Sequence, residues 1–236
     1  MGLDIYVGNL TRYYSGQWET IVARTMREQG TPFQVIRPNN PSDAVTDPAQ
    51  ITPAVIAWRR GLSEALGSYL MRPLDWSEDV ASPYFTDKPD WDGLAGVLLW
   101  AAYSEQPNLK RPIGYTKEFG NDPAFKAGTA PGSGSKLMPV LTSELWLPGD
   151  SSIVFQAQDV AGKQIGMSFL PALQSALDDV NQRTWQATRA DIAAWRRRGP
   201  PVAAGTLDHQ AQFGYAILYE LTQSALDSSL PMKLDY

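Results

Sequence analysis

The stretch Leu207–Asp227 carries apolar residues around most of a helical circumference, leaving Gln212, Glu220, Gln223 and Asp227 as a narrow polar strip. A helix of that kind has to be enclosed by other elements, so the rest of the chain is constrained to wrap around a central helix. What remains is supplied in short pieces. Leu3–Val7 alternates and is rich in β-formers, which predicts a first strand, and Phe33–Ile36 predicts a second between helix-breaking prolines. Ser15 is expected to cap a helix with Trp18, Ile21, Val22 and Thr25 on its apolar face, stopped by Gly30 and Pro32. Thr52-Pro53 reads as a cap and first-turn proline ahead of Val55, Trp58, Leu62, Leu66 and Tyr69 at helical spacing.

The second half follows the same style. Val140–Leu147 and Ile153–Asp159 alternate on either side of Pro148-Gly149-Asp150-Ser151, which predicts a β-hairpin over about 140–159. A helix is expected from about Ser168, with Leu170, Leu173, Leu177 and Val180 facing one way. Thr188 and Asp191 form a capping-box pattern, and that helix should end in Arg196-Arg197-Arg198 before Gly199-Pro200-Pro201. Met232–Tyr236 closes as a strand. About six helices with short strands and no strict strand–helix alternation predict an α+β fold, as one domain over residues 1–236. Residues 106–139 hold five prolines and five glycines without a sustained period, so a long loop is expected there.

Composition narrows the chemistry. The chain has no cysteine, which excludes disulfides, thiolate zinc sites and cysteine nucleophiles, and one histidine, His209, which excludes sites built on several imidazoles. Apolar runs such as Gly93–Tyr103 are about half the length needed to cross a bilayer. The N-terminus shows no basic and apolar leader pattern, so a cytoplasmic location is expected. The acidic balance argues against nucleic-acid and anionic-membrane partners.

Familiar motifs fail at essential positions. Gly128–Lys136 resembles a phosphate loop, but Ser135 separates Gly134 from Lys136 and Leu137 stands where a hydroxyl is needed. Asp90-Trp91-Asp92-Gly93 resembles the middle of a calcium loop, yet Lys88 and Leu99 occupy the outer ligand positions. His209 has no nucleophile elbow to serve. Arg196–Arg198 are accounted for by the dipole of the helix they end. No catalytic residue, metal site or cofactor is therefore expected.

Charge placement is more informative. The net charge is −5, and residues 75–92 alone hold six acids and one base, which accounts for all of it. Asp90 or Asp92 is expected to cap the apolar helix that follows. The other acids alternate with aromatic residues, the composition of a protein-binding hot spot with an attractive field for a basic partner. The residues expected to touch that partner are Asp75, Trp76, Glu78, Asp79, Tyr84, Asp87, Asp90 and Trp91. Alternatively these acids meet the loop at 106–139, whose charge is +3. The function expected is a non-catalytic, protein-binding domain, such as a bacterial immunity protein occluding a basic toxin domain. The alternative is a carboxylate-dependent hydrolase such as a glycosidase, which needs a cleft holding two carboxylates.

Overall fold

The computed structural model describes residues 2–31, 46–114, 118–201 and 205–236, so the strand expected at Phe33–Ile36 lies outside the described residues. In chain order the elements are β1 (Asp4–Val7), α1 (Leu10–Ser15), α2 (Ile21–Glu28), α3 (Pro48–Leu66), β2 (Phe85–Asp87), α4 (Asp90–Ser104), α5 (Pro123–Thr129) and α6 (Met138–Leu141). They continue with β3 (Leu145–Leu147), β4 (Phe155–Gln158), β5 (Gln164–Phe169), α7 (Leu170–Arg183), α8 (Arg189–Arg198), α9 (Leu207–Ser228) and β6 (Met232–Asp235). Nine α-helices among the described residues and a six-stranded mixed sheet make this an α+β fold.

The sheet order is β2-β1-β6-β3-β5-β4, with every pair antiparallel except β3–β5. Alternation along the strands sorts side chains into two faces. Ile5, Val7, Met232, Leu234 and Trp146 share one face, where Trp146 donates its indole N–H to the Pro139 carbonyl of α6 at 2.8 Å. Tyr6 and Lys233 share the other, against Tyr13 of α1. Helices therefore cover both faces, and one apolar cluster runs from Leu3 to Leu234.

The enclosure expected of the last helix is found in α9, whose buried residues include Leu207, Phe213, Tyr215, Ile217, Leu218 and Leu221. It packs against α4, α7 and α8 and against β1, β2 and β6. Contact with α4 is backbone to backbone. A Cβ on Gly214 would stand 2.2 Å from the Gly93 carbonyl oxygen, and one on Gly96 2.8 Å from the Ala211 nitrogen. Only glycine permits helices to approach this closely.

Several local expectations need correction. The hairpin is β4–β5, not 140–159: β5 inserts between β3 and β4, and Val140 and Leu141 belong to α6. Alternation identifies strands but does not encode their partners. The turn that closes β4–β5 is organised by Asp159, whose Oδ1 accepts from the Ala161 and Lys163 amides, both at 3.0 Å. Ser15 ends α1 instead of starting a helix, because Gly16 adopts φ +73° and stops it; Thr20 then caps α2. The third helix starts earlier than Thr52-Pro53: Asp47 accepts from the Ala49 amide at 2.9 Å, Pro48 fills the first turn and Pro53 lies inside the helix. The long loop at 106–139 contains α5, capped by Asp122, and buries Ala124 and Leu137 completely. The capping box of α8 forms as expected, with Thr188 and Asp191 each accepting from the other's backbone amide.

Candidate functional site

Residues 75–92 run from Arg59 of α3 past the start of α1 to the edge strand β2 and on to α4. Asp79 lies near the C-terminal end of β1, its carbonyl accepting from Asn9 Nδ2 at 2.8 Å. Phe85–Asp87 then run antiparallel to β1 as an edge strand, and Asp90 begins α4 near the chain start.

Much of the acid in this segment is used within the fold. Glu78 accepts from the Thr11 amide at 2.7 Å and the Leu10 amide at 3.4 Å, supplying the first turn of α1 with an anion. The Trp76 indole donates to the same carboxylate, and its ring is buried beneath the Arg59 guanidinium at 4.9 Å. Arg59 also donates to the Trp76 carbonyl at 2.5 Å and reaches Asp75 at 3.5 Å. Asp87 binds Arg196 through Nη2 at 2.5 Å and Nε at 3.0 Å, linking β2 to the end of α8. Tyr84 stacks 6.2 Å from Tyr6, with the Arg12 and Arg24 guanidinium groups 4.8 and 5.3 Å from its ring. Trp91 is half-buried, edge-on to Tyr236 at 5.1 Å.

The acids that still face outward are Asp75, Asp79, Asp90 and Asp92, with the Asp75 side chain 88% exposed. Asp79 accepts from the Ala81 amide at 2.8 Å within its own turn. Asp90 pairs with Lys88 at 3.4 Å and holds an unusual φ of +54°. Neither Asp90 nor Asp92 caps α4 through its side chain, contrary to expectation; both sit in its first turn, where their charge favours the helix dipole. Val80 and Phe85 add exposed apolar surface to the same edge. Among the described residues the ion pairs of the acidic segment are made with Arg59, Lys88 and Arg196, none of them in the basic loop.

At one end of this edge lies a cleft of about 240 Å³, between the start of α4 and the α8–α9 connection. Asp90, Asp92, Pro89, Pro200, Gln210 and Phe213 are among the residues that line it. Gln210 is 7% exposed, and its Oε1 has no hydrogen-bond partner among the described residues. Of these, only Asp90 belongs to the set expected from the sequence to touch a partner. The opposing wall arrives from more than a hundred residues away, and its one local signal was Gly199-Pro200-Pro201 ahead of α9. His209 lies in the first turn of α9, with its amide donating to Thr206 Oγ1 at 3.2 Å. Among the described residues no helix is long and apolar enough to cross a membrane. Comparison with protein-family models, curated proteins and solved structures finds no match to this chain.

Proposed function

We propose that this chain is a non-catalytic protein-binding domain that meets a basic partner along the acidic edge of its sheet. One observation carries the reading: after the fold has used Glu78 and Asp87 internally, Asp75, Asp79, Asp90 and Asp92 still face outward beside the exposed Val80 and Phe85. Carboxylates around apolar contacts on an edge give a surface with a strong encounter field and a small dry centre. Occlusion of a basic toxin domain in the cytoplasm, as by an immunity protein, is the specific form of this activity. Trp76, Glu78, Tyr84 and Asp87 then act behind the surface by holding the edge in shape. The hydrolase reading draws support from the two carboxylates of the cleft. Against it, the cleft volume of about 240 Å³ is below the roughly 300–1,000 Å³ of small-molecule sites.

The test is comparative capture from cells of the source organism, using the wild-type chain and a variant with Asp75, Asp79, Asp90 and Asp92 all changed to Asn. A stoichiometric basic protein held by the wild type, released by salt and lost to the variant supports the reading. Equal retention by the variant, salt-insensitive retention, or no partner at all overturns it. So does a variant whose only change is self-association, because the acids would then be guarding an exposed sheet edge.

A further inference from the structure

We infer that the outer edge of β4 is a strand-pairing site for a second copy of this chain, and that Trp58 keeps it shut in the single molecule. The inference goes beyond the proposed function and stands apart from it, because β4 and the acidic segment's β2 are opposite edges of the sheet.

The register decides which backbone groups of β4 are free. The Asp159 amide donates to the Lys163 carbonyl at 2.9 Å, which makes these two residues a hydrogen-bonded pair. Such pairs alternate along an antiparallel ladder, so Ala157–Ile165 and Phe155–Met167 are the next two. Gln156 and Gln158 therefore direct their amides and carbonyls away from β5. Two contacts agree with that parity. The Gly166 carbonyl, opposite Gln156, turns to β3 and accepts from the Glu144 amide at 2.8 Å. The Gln158 carbonyl accepts from the Trp58 indole, which reaches it from α3, at 2.8 Å. Gln156 is exposed, and neither its amide nor its carbonyl has a partner among the described residues.

The occupant follows from the composition of the strand. Ser152–Gln158 carries no charge, so a basic partner finds no attraction here, while an identical strand meets no like charge opposite itself. Antiparallel pairing about a two-fold axis at Gln156 sets this residue opposite itself, each copy donating its amide to the other's carbonyl. The next rungs join Val154 of one copy to Gln158 of the other, and there the pairing needs the Gln158 carbonyl. The Trp58 indole holds that acceptor in the single molecule, and its ring lies on the line along which the second strand would pair. Strand edges are commonly protected by charge or by a covering group. This edge has no charge of its own, which leaves the indole as its guard.

The test is analytical ultracentrifugation of the full chain, joined to hydrogen exchange at the Gln156 amide. The wild type is expected to be a monomer whose Gln156 amide exchanges freely. Trp58→Ala at the same concentration should sediment with about twice the mass, and its Gln156 amide should become protected. Trp58 is half-buried against the core, so Trp58→Phe is the second variant: it keeps a ring in place while freeing the Gln158 carbonyl, and should shift the equilibrium in the same direction. Adding Gln156→Pro should return both variants to monomers. Proline there removes only an N–H that points away from β5, so the β4–β5 ladder is kept. A wild type already paired through Gln156, monomeric Trp58→Ala and Trp58→Phe proteins, or association that survives Gln156→Pro overturns the inference.

Discussion

Lys233 Nζ lies 3.3 Å from Asp159 Oδ2, and both side chains are almost wholly enclosed. The pair ties β6, near the middle of the sheet, to the turn between β4 and β5. Burial pushes the Lys233 ammonium below its ordinary range, and Asp159 opposes that shift. Removing one partner strands the other as a buried charge, so Lys233→Met and Asp159→Asn should each lower stability by about 3–5 kcal/mol. The double substitution should cost clearly less than the sum. An asparagine side chain keeps an oxygen for the Ala161 and Lys163 amides, so Asp159→Asn isolates charge from turn geometry. Urea unfolding of the four proteins measures the coupling, and additive effects would show that the pair does not act as a unit.

The boundary between what was legible and what was not falls at the range of the signal. α9 could be read from the sequence because enclosure leaves its mark on every turn of one continuous segment. The capping box of α8 could be read because Thr188 and Asp191 are three residues apart. Glu78 was visible as an acid, but its partners Leu10 and Thr11 lie 68 and 67 residues upstream. Asp87 meets Arg196 across 109 residues, and nothing in either local sequence points to the other. The misplaced hairpin has the same origin, since β3 and β4 alternate in the same way but each pairs with β5. A linear pattern says which face of a strand is buried and leaves the register and neighbour to tertiary packing.

Two glycine-to-alanine changes, one at the α4–α9 crossing and one on the exposed side of α3, should have opposite outcomes. Gly214→Ala would place a methyl 2.2 Å from a backbone oxygen that cannot rotate away, so the helices must separate. A loss of roughly 2–3 kcal/mol is expected, the upper part of the overpacking range. Gly61 is exposed within α3, and a methyl added there would meet nothing within 4 Å among the described residues. Gly61→Ala should therefore stabilise by up to about 1 kcal/mol through helix propensity alone. Thermal or urea midpoints decide both, and a neutral Gly214→Ala would contradict the close crossing.

The two kinds of acid in residues 75–92 should separate in stability measurements. Glu78→Ala removes the acceptor of the Thr11 and Leu10 amides and the partner of the Trp76 indole. It should cost about 1–2 kcal/mol, the upper range for losing a helix cap. Asp75→Asn and Asp79→Asn should stay within about 0.5 kcal/mol, as exposed substitutions do. A Glu78→Ala protein as stable as the wild type would remove its structural role and return it to the exposed surface.

Above pH 10 the fold should weaken with the titration of its buried phenols. Burial raises the Tyr6, Tyr14 and Tyr215 hydroxyls far above the ordinary tyrosine range. The folded chain keeps these protons where the unfolded chain, with phenols near 10, releases them. Their contribution is thus fully present below about pH 10 and is lost as pH rises beyond it, by about 1.4 kcal/mol per pH unit for each group. Lys233 acts in the opposite sense: its depressed value makes stability rise with pH on approaching the ordinary lysine range. The Tyr103 and Tyr236 phenols are raised as well, so the phenols outweigh the one depressed ammonium and leave a net loss. Denaturation midpoints between pH 8 and 11 should therefore fall steeply past 10, with tyrosinate absorbance from the buried rings appearing only as the chain unfolds. Tyr215→Phe should flatten that fall by the share of one group, about 1.4 kcal/mol per pH unit, at a small cost at neutral pH from the lost hydrogen bond to the Leu177 carbonyl. An unaltered slope in that variant would show that the Tyr215 proton is released from the folded protein.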